Sequence, residues 1–247
     1  MSAPLTGLTA LITGGSKGIG AATSVLLAQN GANVVINYSS DASAADAIVE
    51  KIGSDHAFAI KGDASSIPAI EHMVSETVKR FGKIDILIPC AGLLFMKDLE
   101  HTSEEEFDKI MALNVKGPYF LAQKAAPHMH SGSHIVFLST TQCHATTVSP
   151  AYLLYNATKG AIEQMTRVMA KDLATKGICV NAVAPGPTGT ELFYKGKTEQ
   201  MLKTIAGLSP FGRIAKPEEI AEAIVWLSGG KSAWVSGQIL KVNGDLA

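Results

Sequence analysis

Short apolar runs rich in β-branched residues alternate with helix-like segments along the whole chain. Most of these runs are continuously apolar, which is typical of strands that helices cover on both faces. The predicted strands are Leu8–Ile12, Asn33–Ile36, Phe58–Ile60, Ile84–Pro89, His134–Leu138, Ile178–Val183 and Ile239–Val242. Alternating strands and helices predict right-handed crossovers and a parallel sheet. We therefore expect one doubly wound α/β domain over residues 1–247, with a seven-stranded parallel sheet flanked by helices on both faces.

Segments with helical periodicity fill the intervals between the strands. They are Gly18–Asn30, Ser43–Ile52, Pro68–Phe81, a helix capped by Ser103 and Glu106, Lys116–His130, Ala157–Thr175 and Pro217–Leu227. The least regular stretch, residues 186–209, is rich in Gly, Thr and Lys. Because long irregular segments in compact domains usually form lids or binding loops, we expect a substrate lid at about residues 188–210.

The charges are nearly balanced, with 21 Lys and Arg residues against 22 Asp and Glu residues. Proteins that bind nucleic acids or membrane surfaces usually carry a basic excess, so we expect neither partner. No apolar run approaches the ~18 residues of a membrane-spanning helix. Three cysteines are too few for a disulfide framework, and a reducing, cytoplasmic setting is the simpler interpretation.

Three histidines, His128, His130 and His134, lie close together in the sequence, as the ligands of a metal site can. None of them has a carboxylate or cysteine partner at the spacing of a metal site. We interpret them as the solvated end of a helix and predict no metal site.

A glycine-rich loop follows the first predicted strand and opens the first helix, with the sequence TGGSKGIG at Thr13–Gly20. A backbone without side chains can approach a pyrophosphate closely, and a helix N-terminus supplies free N–H groups and partial positive charge. The spacing G-x-x-x-G-x-G differs from the commoner G-x-G-x-x-G fingerprint and from the P-loop. The loop predicts a dinucleotide site, and its candidate binding residues are Gly14, Ser16, Lys17, Gly18, Ile19 and Gly20.

The residues after the second strand indicate which dinucleotide is bound. An acidic residue at this point normally holds the ribose 2′-hydroxyl of NAD, whereas here the segment is Asn37, Tyr38, Ser39 and Ser40. Neutral Asn37 and the two Ser hydroxyls would not repel a 2′-phosphate, and Lys17 could supply positive charge. Asp41 is the competing candidate, but we place it at the start of the second helix, where an acidic residue is favourable. We therefore expect NADP(H) as the cofactor rather than NAD(H).

Tyr155 and Lys159 lie four residues apart at the start of a predicted helix, so both side chains project from one face. A Lys ammonium near a phenol favours the phenolate and lowers the pKa of the Tyr from ~10 toward neutrality. Tyr155 is then a candidate general acid in carbonyl reduction and base in alcohol oxidation. Taken alone, the pair is also compatible with an ordinary helix that carries one aromatic residue and one solvated Lys.

Together these motifs resemble the short-chain dehydrogenase/reductase family, from about Leu5 to Gly244. The resemblance rests on Thr13–Gly20, Asp63, Cys90-Ala91-Gly92, Asn114, Ser139-Thr140, Tyr155 with Lys159, Pro185-Gly186, Thr188 and Thr190. It implies a Rossmann fold and a homotetramer or homodimer formed through the helices Lys116–His130 and Ala157–Thr175. A charged fraction of only 17%, against a usual ~25%, agrees with such a buried interface.

The resemblance also implies roles for the matched residues. Asn114 would hold a helix kink and a water in the proton relay, and Lys159 would bind the nicotinamide ribose as well as tune Tyr155. Asp63 and Ala64 would contact the adenine. The other implied cofactor contacts are Cys90, Ala91 and Gly92 after the fourth strand and Pro185, Gly186, Thr188 and Thr190 over the nicotinamide.

Two positions depart from the family pattern. Cys90 replaces the usual Asn, whose loss questions local stability of the central strand more than activity. The family's catalytic Ser ends the fifth strand, and aligning His134–Leu138 with that strand places Thr140 there. A Thr hydroxyl can polarise a carbonyl as Ser does, so we favour Thr140, with Ser139 and Thr141 as alternatives.

The function that we expect is NADPH-dependent reduction of a ketone or aldehyde on a hydrophobic or aromatic small molecule. Leu192 and Phe193 in the lid, with Cys143 and His144 after the fifth strand, are the candidate substrate contacts. The motifs resemble both fungal polyketide-type ketoreductases and 3-oxoacyl carrier reductases. An oxidative alcohol or sugar dehydrogenase is the alternative enzyme, and a dinucleotide sensor without chemistry is the non-enzymatic alternative.

Overall fold

The computed structural model describes residues 3–247, which form one sheet of seven strands. The strands are β1 (Thr9–Thr13), β2 (Asn33–Tyr38), β3 (Ala57–Lys61), β4 (Ile86–Pro89), β5 (His134–Leu138), β6 (Cys179–Pro185) and β7 (Ile239–Val242). All neighbouring strands are parallel, and their order is β3-β2-β1-β4-β5-β6-β7. The predicted seven-stranded, doubly wound parallel sheet is confirmed.

Nine α-helices connect the strands within residues 3–247, and none of them is long and apolar enough to cross a membrane. They are α1 (Gly18–Gln29), α2 (Ala42–Ile52), α3 (Ile67–Phe81), α4 (Glu104–Met111), α5 (Gly117–Ala125), α6 (Leu153–Leu173), α7 (Glu191–Tyr194), α8 (Glu199–Ala206) and α9 (Pro217–Leu227). A π-helix, Ala112–Lys116, joins α4 to α5. The expected helix Lys116–His130 is therefore the end of a longer, irregular helical segment, and α5 itself stops at Ala125.

Strand alternation divides the apolar side chains of the sheet between two cores. In β5, Ile135 and Phe137 face α3, α5 and α6, whereas Val136 and Leu138 face the opposite core with α1 and α9. Burying each such side chain contributes roughly 1.5–3 kcal/mol. Ser139 follows Phe137 by two residues and therefore lies on the same face of the sheet, next to α6. The candidate site begins at this contact.

The position of His134 differs from its expected place at the solvated end of a helix. It is the first residue of β5 and is 2% exposed, whereas His128 and His130 are exposed. Burial lowers the pKa of His134. His134 is buried because it belongs to the apolar strand β5, whereas the two other histidines precede that strand. Within residues 3–247, no three His, Cys, Asp or Glu side chains are grouped to hold a metal ion.

Candidate active site

The candidate site lies at the carboxyl ends of β1, β4, β5 and β6. From β1 the chain builds outward to β2 and β3, and it then returns to place β4 on the other side of β1. The loops that leave β1 and β4 therefore diverge and open a crevice, which is where open α/β sheets bind ligands. The glycine loop leaves β1 at this crevice, and Cys90-Ala91-Gly92 leaves β4 beside it.

Close packing and backbone conformation require the glycines of the loop. A Cβ atom on Gly14 would lie 2.9 Å from the Cα atom of Ala91, and one on Gly20 would collide with the carbonyl oxygen of Gly14. Gly14 and Gly18 have φ angles of 63° and 52°, in the left-handed region that favours glycine. The loop therefore offers backbone groups to a ligand at the N-terminus of α1.

The side chain of Asn37 is used inside the protein, contrary to the interpretation that it replaces a ribose-binding carboxylate. It is 2% exposed, its Nδ2 donates to the carbonyl oxygen of Gly62 at 2.9 Å, and its Oδ1 accepts from the N–H of Gly14 at 3.4 Å. Asn37 thereby joins the glycine loop to the end of β3. Alternation along β2 explains the error, because it leaves partly exposed Tyr38 and the two following serines as the outer residues.

Lys17 forms ion pairs with two carboxylates at the edge of the crevice. Its Nζ lies 2.7 Å from Oδ2 of Asp41 and 3.6 Å from Oε2 of Glu191, the first residue of α7. Asp41 lies at the start of α2 as predicted, where it caps the helix by accepting from the N–H of Ala44 at 3.1 Å. The hydrogen bond from Lys17 is the largest of the effects that lower the pKa of Asp41 to about 2. The cation expected to meet a 2′-phosphate is thus shared with acidic side chains.

The turns after β3 and β4 are held by short polar contacts. The carboxylate of Asp63 accepts from the N–H and the hydroxyl of Ser65 at 2.9 and 2.7 Å, and Ala64 beside it is buried. The N–H of Ala91 donates to Oγ1 of Thr13 at 3.2 Å. The second contact ties the β4 turn to the first residue of the glycine loop, so the two walls of the crevice are linked.

Asn114 lies at the centre of the π-helix, where the resemblance implied a helix kink. It is 1% exposed. Its Oδ1 accepts from the N–H of Leu93 at 2.8 Å, and its Nδ2 donates to the carbonyl oxygen of Leu93 at 2.9 Å and to Thr158 at 3.2 Å. Asn114 therefore connects the β4 loop to α6, and π-bulges of this kind occur frequently at functional sites.

Tyr155 and Lys159 lie in the first two turns of α6, next to the end of β5. Lys159 is 7% exposed. Its Nζ donates to the carbonyl oxygen of Leu138 at 2.7 Å, and the same atom lies 5.6 Å from the centroid of the Tyr155 ring. Burial lowers the pKa of Lys159 to about 8. Burial also raises the pKa of Tyr155, with smaller contributions from Cys143 and Cys90. This is opposite to the predicted lowering, because burial disfavours the charged phenolate, and the phenol therefore keeps its proton near neutral pH.

The three candidate hydroxyl groups after β5 have different partners. Ser139 donates to Oε1 of Glu163 at 2.7 Å, and Thr141 accepts from the side-chain amide of Asn243 at 2.7 Å. Thr140 accepts only a long bond, 3.4 Å, from the backbone N–H two residues later. Among residues 3–247 the Thr140 hydroxyl proton has no acceptor, whereas the Ser139 proton is already committed to a carboxylate.

Cysteine and histidine side chains lie close to this strand end. The Sγ atom of Cys143 is 3.9 Å from the carbonyl oxygen of Asn156, and burial raises the pKa of its thiol. His144 is 28% exposed, with Nε2 2.9 Å from Oε1 of Glu163. Burial raises the pKa of Cys90 to about 11, although Lys159 opposes the shift. Both thiols are therefore protonated near neutral pH.

The segment after β6 begins at the crevice and carries α7 and α8. Thr188 is 6% exposed and donates to a backbone carbonyl at 2.9 Å, and Thr190 caps α7 by accepting from the N–H of Phe193 at 3.1 Å. The methyl group of Thr190 lies 3.0 Å from the point where a Cβ of Gly18 would stand. Leu192 is 51% exposed. The segment is thus anchored against the glycine loop at its start and presents apolar side chains beyond it.

Sequence reasoning missed several residues that hold the site together. Ser24 donates to the carbonyl oxygens of Gly15 and Gly20 at 3.0 and 2.9 Å and so fixes the glycine loop. Glu163 follows Lys159 by one helical turn, and this spacing could have identified it from the sequence. The contact of Asn243 with Thr141 joins positions 102 residues apart, so no local pattern could have indicated it.

Comparisons with known proteins agree with this geometry. A family model described as enoyl-(acyl carrier protein) reductase matches residues 14–246. A short-chain dehydrogenase/reductase from Pestalotiopsis microspora is 37% identical over 97% of this chain and 95% of that relative. Versicolorin reductase 1 from Aspergillus parasiticus is 38% identical over 97% of this chain and 96% of that relative. The crystal structure of a short chain dehydrogenase from Burkholderia cenocepacia J2315 in complex with NADP is 30% identical and has a TM-score of 0.92, with 98% of each chain covered.

Proposed function

This chain belongs to the short-chain dehydrogenase/reductase family, and from that premise we propose that it is an NADPH-dependent reductase of ketone or aldehyde carbonyls. The observation that carries the proposal is the pairing of protonated Tyr155 with buried Lys159 beside the end of β5. Members of this family are oxidoreductases that use a nicotinamide dinucleotide, and one structural neighbour holds NADP.

The residues of the crevice fit a dinucleotide. The glycine loop is so closely packed that Cβ atoms would fill it, and the unpaired N–H groups at the start of α1 could hold a pyrophosphate. Lys159 has three donors and spends one on Leu138, which leaves two for the ribose hydroxyls next to the nicotinamide. When bound, the reduced cofactor supplies a hydride from its nicotinamide ring.

Tyr155 is the proton donor in this proposal. Because burial raises its pKa, the phenol is protonated at neutral pH and can give its proton to the carbonyl oxygen as that oxygen gains negative charge. Lys159 stabilises the phenolate that remains, since an ammonium near a phenolate favours the charged form. Asn114, fixed between Leu93 and Thr158, supports the return of the proton through a water.

Thr140 is the second group that we assign to the carbonyl oxygen. Its hydroxyl proton has no acceptor among residues 3–247, whereas Ser139 donates to Glu163. A donor aimed at the developing oxyanion lowers the barrier, and losing one typically costs about 10²–10³-fold in rate. Ser139 and Thr141 are the alternatives that the substitutions described below distinguish.

The proposed cofactor is NADP(H), with Lys17 as the cation for the 2′-phosphate. Since the side chain of Asn37 is internal, the phosphate would meet Tyr38, Ser39 and Ser40 at the end of β2. Without the cofactor, Lys17 forms an ion pair with Asp41. The 2′-phosphate must therefore compete with this carboxylate for the ammonium group.

The substrate class is supported by the segment at about residues 188–210, which we propose as a lid. Leu192 is exposed, and the ring of Phe193 lies 5.4 Å from that of Tyr194. Apolar and aromatic side chains favour a hydrophobic or aromatic carbonyl compound. Cys143 and His144, which follow β5, would complete the pocket on the opposite side.

Self-association is part of the same proposal. Phe107 on α4 and Tyr119 on α5 are 47% and 45% exposed, and Val168 on α6 is 64% exposed. Apolar side chains on these neighbouring helices support a homodimer or homotetramer. Measurement of the molar mass in solution by light scattering tests it, and a monomer at micromolar concentration would rule it out.

The function is tested by NADPH consumption with a panel of aromatic ketones, quinones and aldehydes. We expect turnover of at least one aromatic ketone, and we expect Tyr155→Phe to lose it while NADPH still binds. The control is Tyr152→Phe, a nearby tyrosine without an assigned role. Absence of turnover across the panel, or full activity of Tyr155→Phe, would contradict the proposal.

A further inference from the structure

A buried carboxylate lies behind the proposed catalytic residues, and the proposed chemistry does not use it. Glu163 follows Lys159 by one turn and Tyr155 by two turns of α6, so the three residues share a face of the helix. Glu163 is 7% exposed. An ionised carboxylate in such a place is costly unless it is paired or hydrogen bonded, so its partners must be identified.

Both partners of Glu163 come from one short stretch, the Ser139–His144 segment. Its Oε1 atom accepts from the hydroxyl of Ser139 at 2.7 Å and is 2.9 Å from Nε2 of His144. Ser139 is the first residue of the segment and His144 is the last. One oxygen atom on α6 therefore holds both ends of the stretch that carries Thr140.

Other charged and titratable groups near Glu163 are consistent with this position. Glu163 raises the pKa of the Cys143 thiol, which lies in the same segment, while Lys159 lowers it. Lys159 directs its ammonium to the carbonyl oxygen of Leu138 instead. Glu163 is thus engaged with the segment and not in an ion pair with the catalytic lysine.

We propose that Glu163 is a positioning residue for carbonyl reduction, acting through Ser139 and His144 to fix the place of the Thr140 hydroxyl relative to Tyr155. The inference rests on the proposed function. Without the carboxylate, the Ser139 hydroxyl loses its acceptor and the His144 ring loses its contact with α6, so only backbone bonds such as that from Ser139 to Val183 still hold the segment. A displacement of about 1 Å at a reacting group can cost on the order of 10²-fold in rate, so a residue that does not touch the substrate can still control turnover.

The test compares variants that keep or remove the acceptor. Glu163→Ala removes it, and we expect kcat to fall by on the order of 10²-fold, with the Kd of NADPH unchanged within about twofold. Glu163→Gln keeps an amide oxygen in the same place, and we expect it to restore kcat to within about fivefold of the wild type. If Gln is as damaging as Ala, the positioning role is wrong.

A double-mutant cycle tests the route of the effect. If Glu163 acts through its two partners, Glu163→Ala should cost little further in a Ser139→Ala, His144→Phe background. Full additivity would overturn the proposal. The matched control is Thr166→Val, which removes the buried bond from Thr166 to the carbonyl oxygen of Ile162 on the same helix and should leave kcat unchanged.

Amide hydrogen exchange supplies a readout that does not depend on catalysis. Peptides that cover residues 139–144 should exchange faster in Glu163→Ala than in the wild type, and Glu163→Gln should restore protection. Unchanged exchange in Glu163→Ala overturns the inference whichever substrates are reduced, whereas a wild type that reduces no carbonyl overturns only the proposed function. Should Glu163→Ala fail to fold, Ser139→Ala and His144→Phe carry the same exchange test individually.

Discussion

The ammonium group of Lys159 donates a 2.7 Å hydrogen bond to the carbonyl oxygen of Leu138, the last residue of β5. This bond ties α6 to the central sheet one helical turn after Tyr155. It replaces only one of the water contacts that an ammonium makes with its three donors. Burial therefore disfavours the charged form and lowers the pKa of Lys159 from 10.5 to about 8.

The buried ammonium predicts a pH dependence of stability. Below pH 8 the native and unfolded chains both carry the proton, and the cost of burying the charge is fully present. Between pH 8 and 10.5, the unfolded chain binds more protons, so this group makes the free energy of unfolding rise with pH. Relative to Lys159→Met, which has no charge at this position, we expect the wild type to become more stable by about 3 kcal/mol across this interval.

Urea unfolding at several pH values measures this difference. Lys171→Met is the matched control, because Lys171 is an exposed lysine on the same helix. Its stability should remain parallel to that of the wild type across the interval. A constant gap between Lys159→Met and the wild type would show that the buried lysine does not lose its proton there.

The hydroxyl groups of Thr140 and Thr141 predict different effects of their alanine variants. Thr140→Ala should lower kcat by about 10²-fold, the typical loss for one donor to an oxyanion. Thr141→Ala should lower stability more than turnover, because Thr141 accepts from Asn243 inside the protein. Thr140→Ser keeps the hydroxyl and should remain active. Steady-state kinetics with one reactive ketone measure these effects. Near-normal turnover of Thr140→Ala would show that Thr140 is not the second donor to the carbonyl oxygen.

The pairing of Lys17 with Asp41 predicts opposite effects on cofactor use. Lys17→Ala removes the proposed charge-assisted bond to the 2′-phosphate, so kcat/KM for NADPH should fall by at least about tenfold and that for NADH much less. Asp41→Asn releases Lys17 and should lower the KM for NADPH. The measurement is the steady-state kinetics of the wild type and both variants with NADPH and with NADH. A wild type that prefers NADH would contradict the assignment of NADP(H).

The fold could be predicted from the sequence because its signals are local. Continuous apolar runs located all seven strands of residues 3–247 to within a few residues, and Ser103 with Glu106 forms the predicted capping box. The incorrect predictions concern residues whose environment is set by parts of the chain that are distant in the sequence. Asn37 is internal because it bonds to Gly62 and Gly14, and the pKa of Tyr155 rises because the surrounding fold removes much of its contact with solvent. Helical spacing alone predicts neither burial nor desolvation.

The packing of the glycine loop predicts that a single methyl group will weaken cofactor binding. In Gly20→Ala the new Cβ would collide with the carbonyl oxygen of Gly14, so the loop must move away from the N-terminus of α1. We expect the Kd of NADPH, measured by the fluorescence of the bound nicotinamide, to rise by at least about tenfold, or 1.4 kcal/mol. Gly160→Ala is the control, because nothing lies within 4 Å of its Cβ position and Ala is more favourable than Gly inside a helix by about 0.5–1 kcal/mol. It should bind NADPH normally and unfold at a higher temperature, and tight binding by Gly20→Ala would show that the loop can accommodate a side chain.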